Sequence, residues 1–320
     1  MDILDSMGSK IGNTPLLEVT NIKIPNGNRI FYKEEFLNPT GSHYDRIYFS
    51  LFKELELNKK IIRGKTPLIE VSSGNAGASF AWFCKKLEYP CTVILPQRIP
   101  ELFIDNILRI NPEAKIIISE LNSYIHGAIK TLRKKLSENR NLFCVNHSHW
   151  DITISATEQI AIEASQQMEN HGIKKIDYYI AACGNGSTIV GPGHYLKKRY
   201  GTKVIIFETA NAPVAYHILH PEEQLSFNYH SLFGTGAWGV YFPFLQDQKY
   251  GFSSLIDEDI RITEEDIQSS WKLAEEIKVK VGSTSLVALS VAIRTACSIN
   301  GKNILILFYD KGDKYGQTKI

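Results

Sequence analysis

Short β-branched apolar runs alternate with amphipathic stretches along almost the whole chain, and no other feature restricts the possible folds as much. Residues 67–71, 91–95, 114–119, 142–145, 176–182, 203–208 and 303–308 read as strands, preceded by one at 30–33. Residues 77–87, 101–110, 124–136, 157–168, 188–200, 264–277 and 285–298 carry helical spacing; in the first, Phe80, Phe83 and Cys84 share a face. Strands that are apolar along their length and joined through helices call for mostly parallel sheets covered by helices, an α/β fold. So many βα units in 320 residues predict two sheets rather than one, with the polar stretch His147–Asp151 as the crossing. Residues 213–256 are aromatic, glycine- and proline-bearing and weakly periodic, so that segment is expected to pack over a site.

The composition is that of an ordinary globular chain, 43% hydrophobic and 22% charged, which excludes disordered and disulfide-scaffold classes. Thirty-six basic against 34 acidic residues leave +2, and so no electrostatic case for a nucleic-acid partner. No apolar run is long enough to cross a bilayer, and the opening Met-Asp-Ile-Leu-Asp-Ser is acidic where a signal peptide is basic. Five cysteines, odd in number and never spaced as CxxC, fit buried thiols in a reducing compartment. A cytoplasmic protein with no membrane partner is expected.

Three segments place small residues where a helix begins. They are Asn38-Pro-Thr-Gly-Ser-His-Tyr-Asp-Arg46, Ser72-Ser-Gly-Asn-Ala-Gly77 and Gly184-Asn-Gly-Ser-Thr188. Unpaired N–H groups and the helix dipole favour an anion at such a start. In the third, two glycines allow close backbone approach, and Ser187 and Thr188 add hydroxyls, so a phosphate suits it. One such turn is an ordinary strand-to-helix connection; three in one α/β chain point to a ligand beyond the strand ends.

Taken in order, these segments resemble the signatures of fold-type II pyridoxal-phosphate (PLP) enzymes, most closely cysteine synthase and the cystathionine β-synthase core. Ile11-Gly-Asn-Thr-Pro-Leu-Leu17 is similar to the family's IGNTPL, and Lys33 through Arg46 to its K-x-E-x-x-NPxGSxKDR. Ser72–Gly77 resembles its TSGNTG loop, and Gly184–Thr188 its GTGGT phosphate cradle. Weaker likenesses follow at Gly234-Thr-Gly-Ala237, Val281-Gly-Ser-Thr-Ser285 and Asp310-Lys-Gly-Asp-Lys-Tyr315.

The resemblance implies the two-domain tryptophan synthase β-like scaffold, with residues 1–42 and 152–320 as a large cofactor domain and 43–151 as a small mobile one. It implies PLP held through its phosphate by Gly184, Asn185, Gly186, Ser187 and Thr188. Asn75 would lie beside the ring hydroxyl, and Ser72, Ser73 and Asn75 would grip a substrate carboxylate, although Ser72 and Ser73 also suit simple helix capping. It implies a homodimer, an amino-acid or phosphorylated ligand, and elimination or replacement at the β-carbon of a serine-type amino acid.

Two departures bear on that chemistry. The family's Schiff-base lysine falls on Tyr44, and a phenol cannot form the aldimine. Lys311 stands where the family places a small hydroxyl residue facing the pyridine nitrogen, and a cation there disfavours protonation of that nitrogen. As a replacement Schiff base, Lys311 would approach the wrong end of the ring. Lys33 is expected at a surface strand edge. His43 is expected either on a phosphate or behind the site as a structural residue. His147 and His149 lack the partners of a metal site, so no metal is expected. Trp238 and Tyr241 suit a substrate mouth, lid packing or a subunit contact. Two functional readings stay open: a cysteine synthase-like lyase or transferase, or a non-catalytic relative that binds PLP or another anion noncovalently or partners an active relative.

Overall fold

The computed structural model describes residues 2–97, 99–120 and 124–315. Helix α1 (Ile3–Gly8) and the short strand β1 (Leu16–Glu18) lead into β2 (Arg29–Glu34) and helix α2 (Tyr44–Leu57). Four parallel strands follow: β3 (Leu68–Val71), β4 (Cys91–Leu95), β5 (Lys115–Ile118) and β6 (Phe143–Cys144). Helices α3 (Asn75–Lys86), α4 (Glu101–Ile110) and α5 (Tyr124–Glu138) alternate with them, giving a four-stranded sheet in the order β5-β4-β3-β6.

Helix α6 (Asp151–Asn170) then leads to β7 (Tyr178–Ala182), α7 (Ser187–Tyr200) and β8 (Lys203–Thr209). After the short helices α8 (Val214–Leu219), α9 (Pro243–Gln246) and α10 (Phe252–Leu255) come β9 (Glu258–Ile262), α11 (Glu264–Ser270) and α12 (Leu273–Ile277). The chain closes with α13 (Ser283–Ala296) and β10 (Asn303–Phe308). The second sheet has six strands in the order β1-β2-β10-β7-β8-β9, parallel except for the β1–β2 pair.

The expected α/β fold with mostly parallel, helix-covered sheets is thus the observed one. The reason lies in strands such as Ile304–Phe308 and Val204–Phe207, all at most 1% exposed, which need apolar cover on both faces. No helix among the described residues is long and apolar enough to cross a membrane.

Several elements depart from expectation. Helix α6 starts at Asp151, six residues earlier than its apolar spacing shows, so the polar stretch at 147–151 is the approach to this helix. The expected helix over 264–277 divides into α11 and α12, because the bonds at Trp271 and Ala274 tighten to the i−3 carbonyl. Strand β9, Glu-Asp-Ile-Arg-Ile, lies at the sheet edge and gives no apolar run because charged residues interrupt it. Lys33 is not a surface residue. It is fully buried in β2, with Nζ donating to the Thr14 carbonyl at 2.5 Å, to Glu163 at 3.0 Å and to Gln167 at 3.0 Å. Its strand sits between β1 and β10, inside the sheet.

Candidate active site

A cavity of about 370 Å³ opens beyond the ends of β3 and β7, where the two sheets face each other. One wall is the turn after β3. There Ser72 Oγ accepts from the Gly74 N–H at 3.0 Å and the Gly77 N–H at 2.7 Å, and donates to the Gly74 carbonyl at 3.2 Å. That hydroxyl shapes the turn, which is the capping alternative the sequence left open. Ser73 is hydrogen-bonded to the Tyr124 hydroxyl. Asn75 Nδ2 donates to Asp310 Oδ2 at 2.5 Å.

The turn after β7 supplies the facing wall. Gly184 and Asn185 line the cavity, while Gly186, Ser187 and Thr188 turn away from it into the start of α7. A side chain at Gly184 would meet the Gly234 carbonyl at 2.2 Å, so only glycine allows this approach. Gly186 takes φ +91°, and a Cβ there would lie 2.5 Å from Leu245. Asn185 Oδ1 accepts from both the Ser187 N–H, at 3.0 Å, and the Ser187 hydroxyl, at 2.9 Å; its Nδ2 donates to Ser148 Oγ at 2.9 Å. The Asn185 amide oxygen thus takes a place at the helix start that an anion oxygen would take.

The floor is Tyr44, the first residue of α2. Two clamps fix its position. Asp45 accepts from the Thr40 N–H at 2.7 Å, the Thr40 hydroxyl at 2.5 Å and the Ser79 hydroxyl at 2.6 Å. Arg46 forks onto Glu35 at 2.7 and 2.9 Å and onto Glu163 at 2.6 and 2.8 Å. The Tyr44 ring lies 4.3 Å from His43 and meets His147 edge-on at 5.4 Å. Burial, with the Tyr124 phenol and the Glu70 and Asp310 carboxylates nearby, holds its hydroxyl above the ordinary value of 10.0.

Behind the floor, Tyr48 Oη lies 3.2 Å from His147 Nδ1, and Glu70 Oε2 accepts from the His147 backbone N–H at 3.2 Å. Burial takes the His43 pKa down to about 4, and its Nδ1 has no partner among the described residues. His43 therefore sits neutral behind Tyr44, off the cavity wall. The Lys311 side chain is exposed and also off that wall. His147 and His149 gather no third metal-binding side chain among the described residues; the group that does form, His220 with Glu222 and Glu223, lies outside the cavity.

Glu70, Tyr124 and His126 also line the cavity, and the motifs did not point to them. Glu70 had a readable signal, a carboxylate inside an otherwise apolar strand. Tyr124 and His126 had none. The irregular segment does cover the site, with Phe233, Gly234 and Tyr241 on the wall.

The profile of the family described as "Pyridoxal-phosphate dependent enzyme" matches residues 8–310. The chain belongs to this family. Its cofactor is pyridoxal phosphate. Among curated relatives, a probable cysteine synthase of Bacillus subtilis is 27% identical, spanning 100% of this chain and 98% of its own length. Cysteine synthase B of Campylobacter jejuni is also 27% identical, over 100% of this chain and 99% of its own. Of solved structures, a hydrogen sulfide-producing enzyme of Fusobacterium nucleatum superposes with a TM-score of 0.84 at 22% identity, covering 98% of this chain and 99% of that one. An O-acetylserine-dependent cystathionine β-synthase of Helicobacter pylori gives 0.83 at 25% identity, covering 97% and 96%.

The residues of this PLP-family cavity fit part of the cofactor. The Asn75 amide on the wall suits its ring oxygen, whereas the Ser187 N–H and hydroxyl at the helix start are off the wall and taken by the Asn185 oxygen. The side chain that Tyr44 presents to the cavity is a phenol, which forms no imine with an aldehyde.

Proposed function

We propose that this chain is a binding member of the PLP family, holding PLP or a related phosphorylated, anionic ligand noncovalently rather than carrying out β-replacement. Tyr44 carries this reading. It stands on the cavity floor where the family pattern has its lysine, and it keeps its proton throughout the neutral range. It cannot displace an amine at a carbonyl, and it is a poor base. PLP would bring an electron-withdrawing ring, which acts on an amino acid's α-carbon only where the two are covalently conjugated.

The chain's own groups account for binding in this reading. The α7 start, with Ser187 and Thr188, would hold the phosphate once the Asn185 oxygen gives way. Asn75, anchored on Asp310, would orient the ring oxygen. The N–H groups at the α3 start and the Ser73 hydroxyl would take a carboxylate, with Ser72 holding the turn in shape. Residues 43–151 would act as the mobile unit and the remainder as the phosphate-bearing one.

The test is an absorption spectrum after incubation with PLP and gel filtration, followed by borohydride reduction and peptide mapping. Retained cofactor without a reduced adduct is the expected result. An adduct on a lysine, such as Lys130 on the cavity wall, would instead support the lyase or transferase reading.

A further inference from the structure

The charges on the cavity wall are unequal. Glu70 is the one carboxylate residue among the described lining residues, and its oxygens already accept from the Val71 and His147 N–H groups. Against it stand His126, Lys130 and Arg133, which all line the cavity from α5. Their spacing of four and then three residues puts them on one face of the helix. On the same helix Lys135 pairs with Glu138 at 2.9 Å, whereas Lys130 and Arg133 have no carboxylate partner among the described residues.

This stripe is also held in place. His126 Nδ1 lies 2.9 Å from the Gly239 carbonyl, which ties α5 to the segment covering the site. At the first residue of α5, Tyr124 bonds Ser73, so the helix spans from the inner turn to the mouth. A cavity of about 370 Å³ has room for a small ligand whose two ends reach both places.

We propose that Lys130 and Arg133, with His126 beside them, form a second anion subsite at the cavity mouth. Its ligand is an α-amino acid whose side chain ends in a phosphoryl or carboxyl group. The α-carboxylate lies at the Ser73–Asn75 turn and the distal anion lies against α5. The inner half of this placement rests on the binding reading above; the outer half rests on α5 alone.

Calorimetry on the full chain preincubated with PLP tests the subsite with two matched pairs: O-phospho-L-serine against L-serine, and L-glutamate against L-glutamine. Wild type should favour the anionic member of at least one pair about ten-fold, as charge-assisted contacts require. The pair that discriminates identifies phosphoryl or carboxyl as the distal group. In Lys130→Ala/Arg133→Ala the preference should fall below about two-fold, and in Lys130→Arg it should persist. Both positions are exposed, so folding is spared. No preference in wild type, or a preference unchanged in the double variant, overturns the subsite. PLP retention, read by absorbance on the same samples, reports on the cofactor reading separately: lost retention with intact discrimination defeats that reading and leaves the subsite standing.

Discussion

Single residues decide the chemistry available here. Tyr44 lines the cavity, and on the reading proposed above it stands where the family pattern has its lysine, so Tyr44→Lys should create a point of covalent attachment. The expected outcome is a visible absorption band and a borohydride-fixed adduct mapped to residue 44; a colourless variant would mean the pocket has diverged further. Asn185 bears on phosphate affinity. Its amide oxygen holds the Ser187 N–H and hydroxyl that a phosphate would need. Asn185→Gly should tighten PLP binding about five-fold, the worth of one released hydrogen bond of about 1 kcal/mol. Fluorescence titration reads this, and weaker binding would show that Asn185 contacts the phosphate instead. The motifs made both positions legible. Lys33 was misread because a lysine in a strand is usually exposed, and nothing local announces that Glu163 and Gln167, more than a hundred residues on, will solvate it.

At the scale of elements, the buried ion network joining β2, α2 and α6 orients the start of α2. Burial works to raise the Glu163 pKa, but the Arg46 hydrogen bonds and charge, with Lys33, outweigh it and hold the group at about 2. Because the folded pKa lies below the unfolded one, this stability is present above the unfolded value and is lost as pH falls from about 4.5 towards 2. Denaturant titrations in that range should show a steep loss in wild type and a shallower one in Glu163→Gln. Removing one partner outright, as in Arg46→Met, should cost about 3–5 kcal/mol, because it strands the buried Glu35 carboxylate. Helix α11 offers a smaller case. Thr263 and Asp266 form a reciprocal capping box, so Thr263→Ala should cost about 1 kcal/mol in thermal unfolding. Central strands such as β10 were legible because burial of both faces demands an unbroken apolar run. Strands β1 and β9 were not, since Leu16–Glu18 is only three residues long and Glu258–Ile262 is broken by charged residues.

At the scale of the molecule, the cavity borrows one wall from each sheet, so a ligand that fits it must touch both. Hydrogen exchange with PLP at 100 times its dissociation constant should slow around 72–77 and around 184–188 together, with about 2.7 kcal/mol of added stability. Protection confined to one turn would argue against a bridging ligand. That two sheets exist could be read from length and alternation. How α5 and the 233–243 segment meet over the cavity could not, because their contact joins residues far apart in the chain, such as His126 and Gly239.

The clamps on Asp45 and Arg46 carry one more implication. Both hold the side chains of the two residues after position 44, and none of these bonds involves its ring. Position 44 is therefore a mounting point whose fitting is interchangeable. Unnatural side chains bearing an aldehyde, a hydrazine or a metal chelator could be installed there by an expanded genetic code, with the helix start unmoved. The natural fold would then serve as a ready-made fixture for reactivity that no ribosomal amino acid provides.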